Sequence, residues 1–329
     1  MKLIGQKGLI PVIIVLAIST VAAAAFFASR QIVKPKPTSL VKSTVIVPSA
    51  TPIATPSPTP SPSPTPIPTP VLKSPSPTPV QVPSVAPSVA PVPVTNTPPR
   101  SGFANINVNV EGYTYPVAIV TADLNSTRVI VDTASESDCG SSCPVLSLSD
   151  YVSRNGAYAG INGSYFCPTD YPSCAGKTNS FDTLLMNKNK RYFNSDNNVY
   201  STVPAAIFSA GSARFVGQSL EWGRDTGPDS VIANYPLLIA GGNINFTEAP
   251  NEPKFGNKAP RTFIAAKGNM VYIGIVYKAT MGESAKVLKA LGMDGALNLD
   301  QGGSTALWHG GYKAGPGRSI PNAILFVNR

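Results

Sequence analysis

The chain has 329 residues, with 26 Lys or Arg against 17 Asp or Glu and a formal net charge of +9. Eight of the basic residues and none of the acidic ones lie in residues 1–100, so the remainder is close to neutral and lacks the charge expected of a nucleic-acid-binding domain. His309 is the single histidine, which excludes metal sites built from several histidines.

An apolar segment comes first in the chain. Residues 9–29 are all apolar or small, and about 20 such residues can span a bilayer. Residues 1–30 are therefore predicted to be an uncleaved membrane anchor. The alternative is a signal peptide cleaved near Ala22-Ala23-Ala24, although such a peptide has a shorter apolar core. Basic residues flank the segment on both sides, so they do not determine its orientation.

Residues 31–104 are predicted to be a disordered stalk. Within them, residues 33–99 alternate Pro with Ser, Thr, Val and Ala and contain no aromatic or acidic residue. Such a tract cannot bury a core, and repeated proline favours extended polyproline II. At about 3.1 Å per residue it could reach on the order of 200 Å, enough to hold a domain clear of a membrane or across a cell wall. Its Pro-Ser-Pro-Thr stretches are also typical of SH3-type ligands and of glycosylation sites.

Residues 105–329 are long enough for one domain with a substantial core. Short apolar or alternating runs predict strands at residues 105–110, 117–121, 128–131, 157–161, 263–266 and 270–276, the last two joined by a three-residue turn. One clear helix is predicted at residues 283–291, ending at Gly292, and a weaker one at 147–155. Because strands do not alternate with crossover helices, the expected fold class is α+β, a strand-rich single domain with few helices.

All four cysteines lie early in this domain, at Cys139, Cys143, Cys167 and Cys174. Two disulfides are the natural interpretation in an exported domain, and three pairings are possible. We expect Cys139 to pair with Cys143 and Cys167 with Cys174, each closing a small loop. A four-thiolate zinc site is the alternative, but neither spacing has the two-residue gap of common zinc knuckles. Disulfides would also place the domain outside the cytosol.

The segment whose residues best suit a reactive site is 298–308, which reads Asn-Leu-Asp-Gln-Gly-Gly-Ser-Thr-Ala-Leu-Trp. An apolar strand at residues 295–299 leads into Asp300, then into two glycines and two hydroxyl residues, before an apolar run resumes at Ala306. This pattern predicts a strand, a tight polar turn and a second strand. Asp300 either caps the turn of a simple hairpin or is presented at a strand end for chemistry.

This segment resembles the Asn-Leu-Asp-Gly-Gly-Gly-Ser-Thr signature of the phosphodiester glycosidase family. Three further pieces match in the family's order. Residues 162–166 resemble its Asn-Gly-x-Phe-Phe, residues 260–262 its Pro-Arg-Thr, and residues 318–324 its closing Arg-x-Val-x-Asn-Ala. The resemblance covers residues 105–329, and the chain departs from it at Gln301, where the family usually has Gly. It implies hydrolysis of a sugar joined through its anomeric carbon to a phosphodiester.

Few catalytic side chains are needed for that reaction. Ordinary glycosidases use two carboxyl groups because an alcohol leaving group must be protonated, whereas a phosphate monoester, with a second ionisation near ~6, leaves far more easily. Asp300 is then expected to attack the anomeric carbon or to activate water, and Asp294 is the reserve acid unless it only forms the turn after the helix. Arg261 and Arg318 are expected to clamp the phosphate, since guanidinium groups suit phosphate oxygens; surface salt bridges are their alternative fate.

Further residues are assigned to the substrate. They would offer backbone amides, hydroxyl groups and the turn at the end of a strand. These residues are Gly302, Gly303, Ser304, Thr305, Asn162, Gly163 and Tyr165. Asn162 would bind sugar hydroxyls or orient Asp300, and Tyr165 or Phe166 would form a hydrophobic wall unless they pack in the core. His309 is placed at the rim or on the surface. A serine-hydrolase set of Ser304, His309 and Asp300 is disfavoured because there is no Gly-x-Ser-x-Gly elbow.

The sequence therefore predicts an exported, membrane-tethered hydrolase that takes a glycan or glycosyl-phosphate substrate, without a cofactor, metal or nucleic-acid partner. A second hypothesis is a non-catalytic glycan- or wall-binding module on the same stalk, which would need the pocket but not the carboxylate.

Overall fold

The computed structural model describes residues 92–194, 202–246 and 253–329. The predicted anchor and most of the predicted stalk lie outside these ranges. Within them, no helix is both long and apolar enough to cross a membrane. Pairing starts before residue 105, because Val94 forms a parallel bridge with Asn107.

The described residues form seventeen strands and three α-helices. The strands are β1 (Gly102–Val110), β2 (Tyr113–Asp123), β3 (Thr127–Thr133), β4 (Ala159–Asn162), β5 (Leu185–Met186), β6 (Tyr192–Phe193), β7 (Ala205–Ser209), β8 (Ser212–Val216), β9 (Ser230–Ala233), β10 (Leu237–Ala240), β11 (Asn243–Ile244), β12 (Ala259–Lys267), β13 (Met270–Ala279), β14 (Gly295–Asn298), β15 (Leu307–His309), β16 (Tyr312–Ala314) and β17 (Asn322–Asn328). The helices are α1 (Leu148–Asn155), α2 (Pro253–Gly256) and α3 (Met281–Ala290).

The strands form three antiparallel sheets. The first has the order β1-β2-β13-β12-β14-β10-β11, the second β16-β15-β4-β17-β3, and the third β6-β5-β9-β7-β8. The expectation of a strand-rich domain with few helices is therefore confirmed for the described residues.

The first sheet is covered on both faces. Successive residues of a strand point to opposite sides, so Val120 packs in the cluster shared with β4, β9 and β17, whereas Ile119 packs in the cluster that includes α3. Burial on both faces explains why β2 reads as an almost continuous apolar run. The main core therefore lies between the first sheet and the other two.

Both predicted helices are present. Thr280 caps α3 in a capping box with Glu283, and Ser147 caps α1 in the same way with Asp150, so each helix starts where a side chain satisfies its first backbone amides. The turn between β12 and β13 differs from expectation: Lys267 pairs with Met270, leaving a two-residue loop instead of three.

The hairpin interpretation of residues 298–308 is wrong. β14 pairs with β12 and β10 in the first sheet, whereas β15 pairs with β4 and β16 in the second. The polar turn carries the chain from one sheet to the other, because each strand finds its hydrogen-bonding partners elsewhere in the sequence. Asp300 consequently lies where the two sheets meet.

Candidate active site

A cavity of about 360 Å³ lies beside the turn that connects the first two sheets. One wall is the loop at residues 167–174. Most of the other lining residues come shortly after β4 or β14 in the chain, or shortly before β17. The lining includes Tyr165, Phe166, Lys177, Asp182, Lys254, Asp300, Gln301, Gly302, Ser304 and Arg318.

The backbone of Asp300 is held from two sides. Its N–H donates to the carbonyl of Gly163 at 2.9 Å, and its own carbonyl accepts from Asn162 Nδ2 at 2.6 Å and from the hydroxyl of Thr262. Asn162 Oδ1 also accepts the N–H of Ala306 at 3.1 Å. These bonds join β4 and β12 to the turn, so the Asp300 carboxylate is presented from a rigid backbone.

Burial raises the pKa of Asp300 to about 6. The shift is opposed by a hydrogen bond from Ser304, by the N–H of Gln301, which donates to Oδ1 at 2.8 Å, and by the charges of Lys254 and Arg318. The carboxylate is therefore ionised at neutral pH while remaining basic enough to accept a proton.

Arg318 is the arginine that reaches the cavity. Its backbone N–H donates to the carbonyl of Gly303 at 2.7 Å, and its side-chain Nη1 pairs with Asp170 Oδ1 at 2.6 Å. A Cβ at Gly303 would lie 2.3 Å from Arg318 Nη2, so only glycine permits this close approach. The side chain remains 26% exposed, which leaves it accessible to a ligand.

Three cavity-lining charges were not assigned by the sequence analysis. Lys254 lies with its Nζ 3.7 Å from the centroid of the Tyr165 ring and acts on the charge of Asp300. Lys177 and Asp182 line the same cavity; desolvation raises the pKa of Asp182, and Lys177 and Lys254 oppose that shift. None of the three belongs to a matched motif, so the sequence contained no signal that would have identified them.

Arg261, which was expected to clamp the phosphate, lies away from the cavity. The side chain is 1% exposed and does not line the cavity. Its guanidinium donates to the carbonyls of Ala279, Lys254, Phe255 and Asn257 and to the side chain of Gln301. Arg261 is therefore a positioning residue that ties α2, which carries Lys254, to β12 and to the Asp300 turn.

Gln301 stands where the resemblance led us to expect glycine. Its Oε1 accepts from Arg261 Nη1 at 2.7 Å, and its Nε2 lies 3.4 Å from the hydroxyl of Tyr165. That hydroxyl also accepts from Asn298 Nδ2 at 2.8 Å. Both ends of the glutamine side chain are thus used within the protein, and Tyr165 is fixed as part of the cavity wall.

Several residues assigned to the substrate do not line the cavity. Asn162 is fully buried and orients the Asp300 backbone, which was one of its two expected roles. Gly163 is packed so tightly that a Cβ would lie 1.7 Å from Asn322 Oδ1. Thr305 is also absent from the lining, and its hydroxyl has no partner among the described residues.

Two other residues lie away from the cavity. His309 stacks on Phe103, with ring centroids 6.4 Å apart, and does not line the cavity, so neither the rim position nor the serine-hydrolase set is supported. Asp294 precedes the opposite end of β14 and accepts the N–H of Gly268 at 2.6 Å. Asp294 thus lies in the turn after α3, the alternative that the sequence allowed, and its carboxylate binds the turn between β12 and β13.

Both expected disulfides are present, Cys139 with Cys143 and Cys167 with Cys174. The second closes the loop that forms one wall of the cavity. In the part of the chain that the structure describes, no cluster of three or more His, Cys, Asp or Glu side chains is placed to hold a metal ion.

Comparison with known proteins gives a family match. The model of the phosphodiester glycosidase family matches residues 155–327. The catalytic domain of zebrafish N-acetylglucosamine-1-phosphodiester alpha-N-acetylglucosaminidase, auto-inhibited by its pro-peptide, is similar in structure, with a TM-score of 0.54 and 14% identity over 70% of this chain and 83% of that one. At this identity the likeness concerns the fold alone.

A hypothetical protein from Synechocystis has a TM-score of 0.46 and 14% identity over 69% of this chain. The alignment covers 62% of the Synechocystis chain, less than two thirds of it. A search of curated proteins gives no match.

Proposed function

The chain belongs to the phosphodiester glycosidase family, and we propose that it is an exported, membrane-tethered hydrolase that releases a sugar from a glycosyl-1-phosphodiester in cell-surface or extracellular glycans. The observation that carries the proposal is the half-buried carboxylate of Asp300, in a cavity that also contains Arg318 and Lys254. Hydrolysis of a sugar with a phosphate leaving group requires one carboxylate and a fixed positive charge facing it.

The reaction breaks the bond between the anomeric carbon and the phosphate oxygen. Asp300 either attacks that carbon, forming a glycosyl ester that water then hydrolyses, or removes a proton from the water that attacks it. In both routes water supplies the hydroxyl of the released sugar. The electron pair of the broken bond leaves on the phosphate monoester, which needs no proton near neutral pH because its second ionisation lies near ~6.

Arg318 and Lys254 would stabilise the charge that develops on the departing phosphate. Such preorganised partners act where charge appears in the transition state, and they act more strongly in a site that excludes water. Arg318 is suited to this task because Asp170 and the Gly303 carbonyl hold it in place while a quarter of its side chain remains exposed.

The extracellular placement is part of the same proposal. The two disulfides support it, since such bridges persist mainly in oxidising compartments. The apolar segment at residues 9–29 would provide the tether, and the proline-rich stalk would hold the domain away from the membrane or across a cell wall.

The test is sugar release by the purified full-length chain in detergent. The substrates are glycosyl-1-phosphodiesters of glucose, galactose, mannose and N-acetylglucosamine, each in both anomeric forms, and the Asp300→Asn variant is the control. We expect release from at least one substrate and none from the variant. Binding of these compounds by both proteins, with no turnover by either, would contradict the proposal and favour the non-catalytic glycan-binding module.

A further inference from the structure

Asp182 is a second carboxylate in the first cavity, the one that contains Asp300. The residue is exposed and lines that cavity. Among the residues that the structure describes, its carboxylate forms no hydrogen bond and no ion pair. The carboxylate of Asp300 differs, because Ser304 and the N–H of Gln301 donate to it. Asp182 therefore presents acceptor atoms that a ligand can still use.

The position of Asp182 is set by its neighbours. Its backbone N–H donates to the carbonyl of Tyr165 at 3.2 Å, next to an antiparallel bridge between Phe166 and Phe181. Phe181 is buried in the main core, and the Thr183 hydroxyl donates to a backbone carbonyl of β9 at 2.6 Å. Because both flanking residues are held, the Asp182 side chain starts from a fixed backbone, which lowers the entropic cost of binding a ligand.

The two carboxylates are attached to the same segment of the chain. The N–H of Asp300 donates to the carbonyl of Gly163, and the N–H of Asp182 donates to the carbonyl of Tyr165, two residues further along. Tyr165 also lines the cavity. Asp182 and Asp300 therefore face one cavity from different places along it.

Arg318 distinguishes these two places. It acts on the charge of Asp300, whereas the cations that act on Asp182 are Lys177 and Lys254. Arg318 also lines a second cavity, of about 430 Å³, to which Asp182 does not contribute. If the anomeric carbon lies at Asp300 and the phosphate at Arg318, Asp182 faces the part of the sugar that is remote from the phosphate.

The groups around Asp182 match hydroxyls better than charged substituents. A sugar hydroxyl can donate to the Asp182 carboxylate and accept from the ammonium of Lys177, which also has no hydrogen-bond partner among the described residues. A carboxylate on the sugar would approach Asp182, and an ammonium would approach Lys177 and Lys254, so either charge would meet a like charge. An uncharged sugar avoids both penalties.

We infer that Asp182 is a specificity-determining residue, whose carboxylate accepts hydrogen bonds from hydroxyls at the end of an uncharged sugar that is remote from the phosphate. The inference rests on the proposed function, because it needs the anomeric carbon at Asp300. It adds the class of the sugar and a binding residue that lies outside the motifs on which the resemblance depends.

The test uses the full-length chain in detergent and the glycosyl-1-phosphodiester that it cleaves best, together with the analogues that each lack one hydroxyl of the sugar. In the wild type, loss of one hydroxyl remote from the anomeric carbon should lower kcat/KM by about tenfold or more, the effect of one hydrogen bond to a charged group. An ammonium in place of that hydroxyl should bring no gain. In Asp182→Ala, kcat/KM for the parent diester should fall by a similar factor, and loss of the same hydroxyl should then cost little more.

The matched control is Asp225→Ala, because Asp225 is exposed and lies outside the first cavity. This variant should keep the wild-type ratio of kcat/KM between the parent and deoxy diesters. Asp182→Asn retains the shape and one acceptor oxygen, so its ratio should be intermediate, and it supplies the measurement if Asp182→Ala has no activity. Each ratio compares two substrates on one protein and is therefore independent of the fraction that folds.

An unchanged ratio in the Asp182 variants would overturn the inference, and so would faster cleavage of the ammonium analogue than of the parent. Equal cleavage of the parent and every deoxy analogue by the wild type would remove the role of Asp182 and leave the proposed function standing. Cleavage of no diester at all would overturn the function itself.

Discussion

Arg261 and Gln301 are joined by a hydrogen bond of 2.7 Å between Nη1 and Oε1. The bond links a fully buried arginine of β12 to the residue that follows Asp300. Arg261 also binds three carbonyls in and just after α2, the segment that carries Lys254. One side chain thus holds both the carboxylate turn and one of the cations that face it.

The first prediction concerns Arg261. Arg261→Met would leave several buried carbonyls without a donor, each at a cost of about 1–3 kcal/mol, so we expect the free energy of unfolding to fall by at least about 3 kcal/mol. Activity should fall equally on a phosphodiester and on an activated aryl glycoside, because Arg261 does not touch the leaving group. Denaturant unfolding and the two kinetic assays measure this, and the exposed Arg191→Met is the control. A loss confined to the phosphodiester would show that Arg261 contacts phosphate after all.

The second prediction concerns Arg318. If its charge stabilises the departing phosphate, Arg318→Ala should lower kcat on a phosphodiester by about a hundredfold or more. An activated aryl glycoside leaves without that help, so its hydrolysis should suffer much less. Arg318→Lys should be intermediate, since it keeps the charge and loses the planar fork. Equal losses on both substrates would mean that Arg318 only supports the loop through Asp170.

The third prediction is the pH dependence of activity. Asp300 must be ionised to attack or to accept a proton, and its pKa is raised to about 6. The kcat/KM of the wild type should therefore fall as the pH is lowered through about 6. A pH profile of sugar release tests this directly; full activity at pH 4.5 would place the essential carboxylate elsewhere.

The fourth prediction is the stability of Asp300→Asn. The folded pKa lies above 3.8, the ordinary value of an Asp side chain. Folding therefore takes up a proton between pH 3.8 and about 6, and the charged form destabilises the fold above about pH 6. A shift of about two units corresponds to at most ~3 kcal/mol. Asp300→Asn should thus be more stable than the wild type at pH 8 and no more stable at pH 3.5. The exposed Asp294→Asn should show no such gain; a destabilised Asp300→Asn at pH 8 would contradict the prediction.

The fifth prediction concerns the cavity wall. Replacing Cys167 and Cys174 by serine frees the loop that carries Asp170, the partner of Arg318, so activity should fall by about tenfold or more through the misplaced arginine. The Cys139→Ser/Cys143→Ser pair is the matched control, since neither of its residues lines the first cavity. Non-reducing peptide mapping checks both bridges in the parent protein. Wild-type activity in the Cys167→Ser/Cys174→Ser protein would show that the loop holds its position without the bridge.

Much of the local structure could be predicted because its causes are local. A threonine three residues before a glutamate starts α3 at Thr280, and apolar periodicity locates β1 and β13. The disulfides also followed from short spacing, because four or seven residues separate the paired cysteines. The turn at Asp300 was identified because a carboxylate followed by two glycines and two hydroxyls is an unusual sequence at a strand end.

Which of these residues face the cavity was decided by tertiary structure alone. Arg261 and Arg318 both lie in matched motifs, yet α2 and the Asp300 turn bury Arg261. Arg318 instead packs against Gly303 and lines the cavity. Lys254 and Asp182 reach the cavity although nothing around them in the sequence marks them. β14 and β15 look like a hairpin because they are neighbours in the chain, but they join different sheets, since β14 pairs with β12 and β10 and β15 pairs with β4 and β16. Burial and pairing depend on contacts between distant segments, and for that reason the sequence could name Asp300 and Arg318 but not Lys177, Asp182 or Lys254.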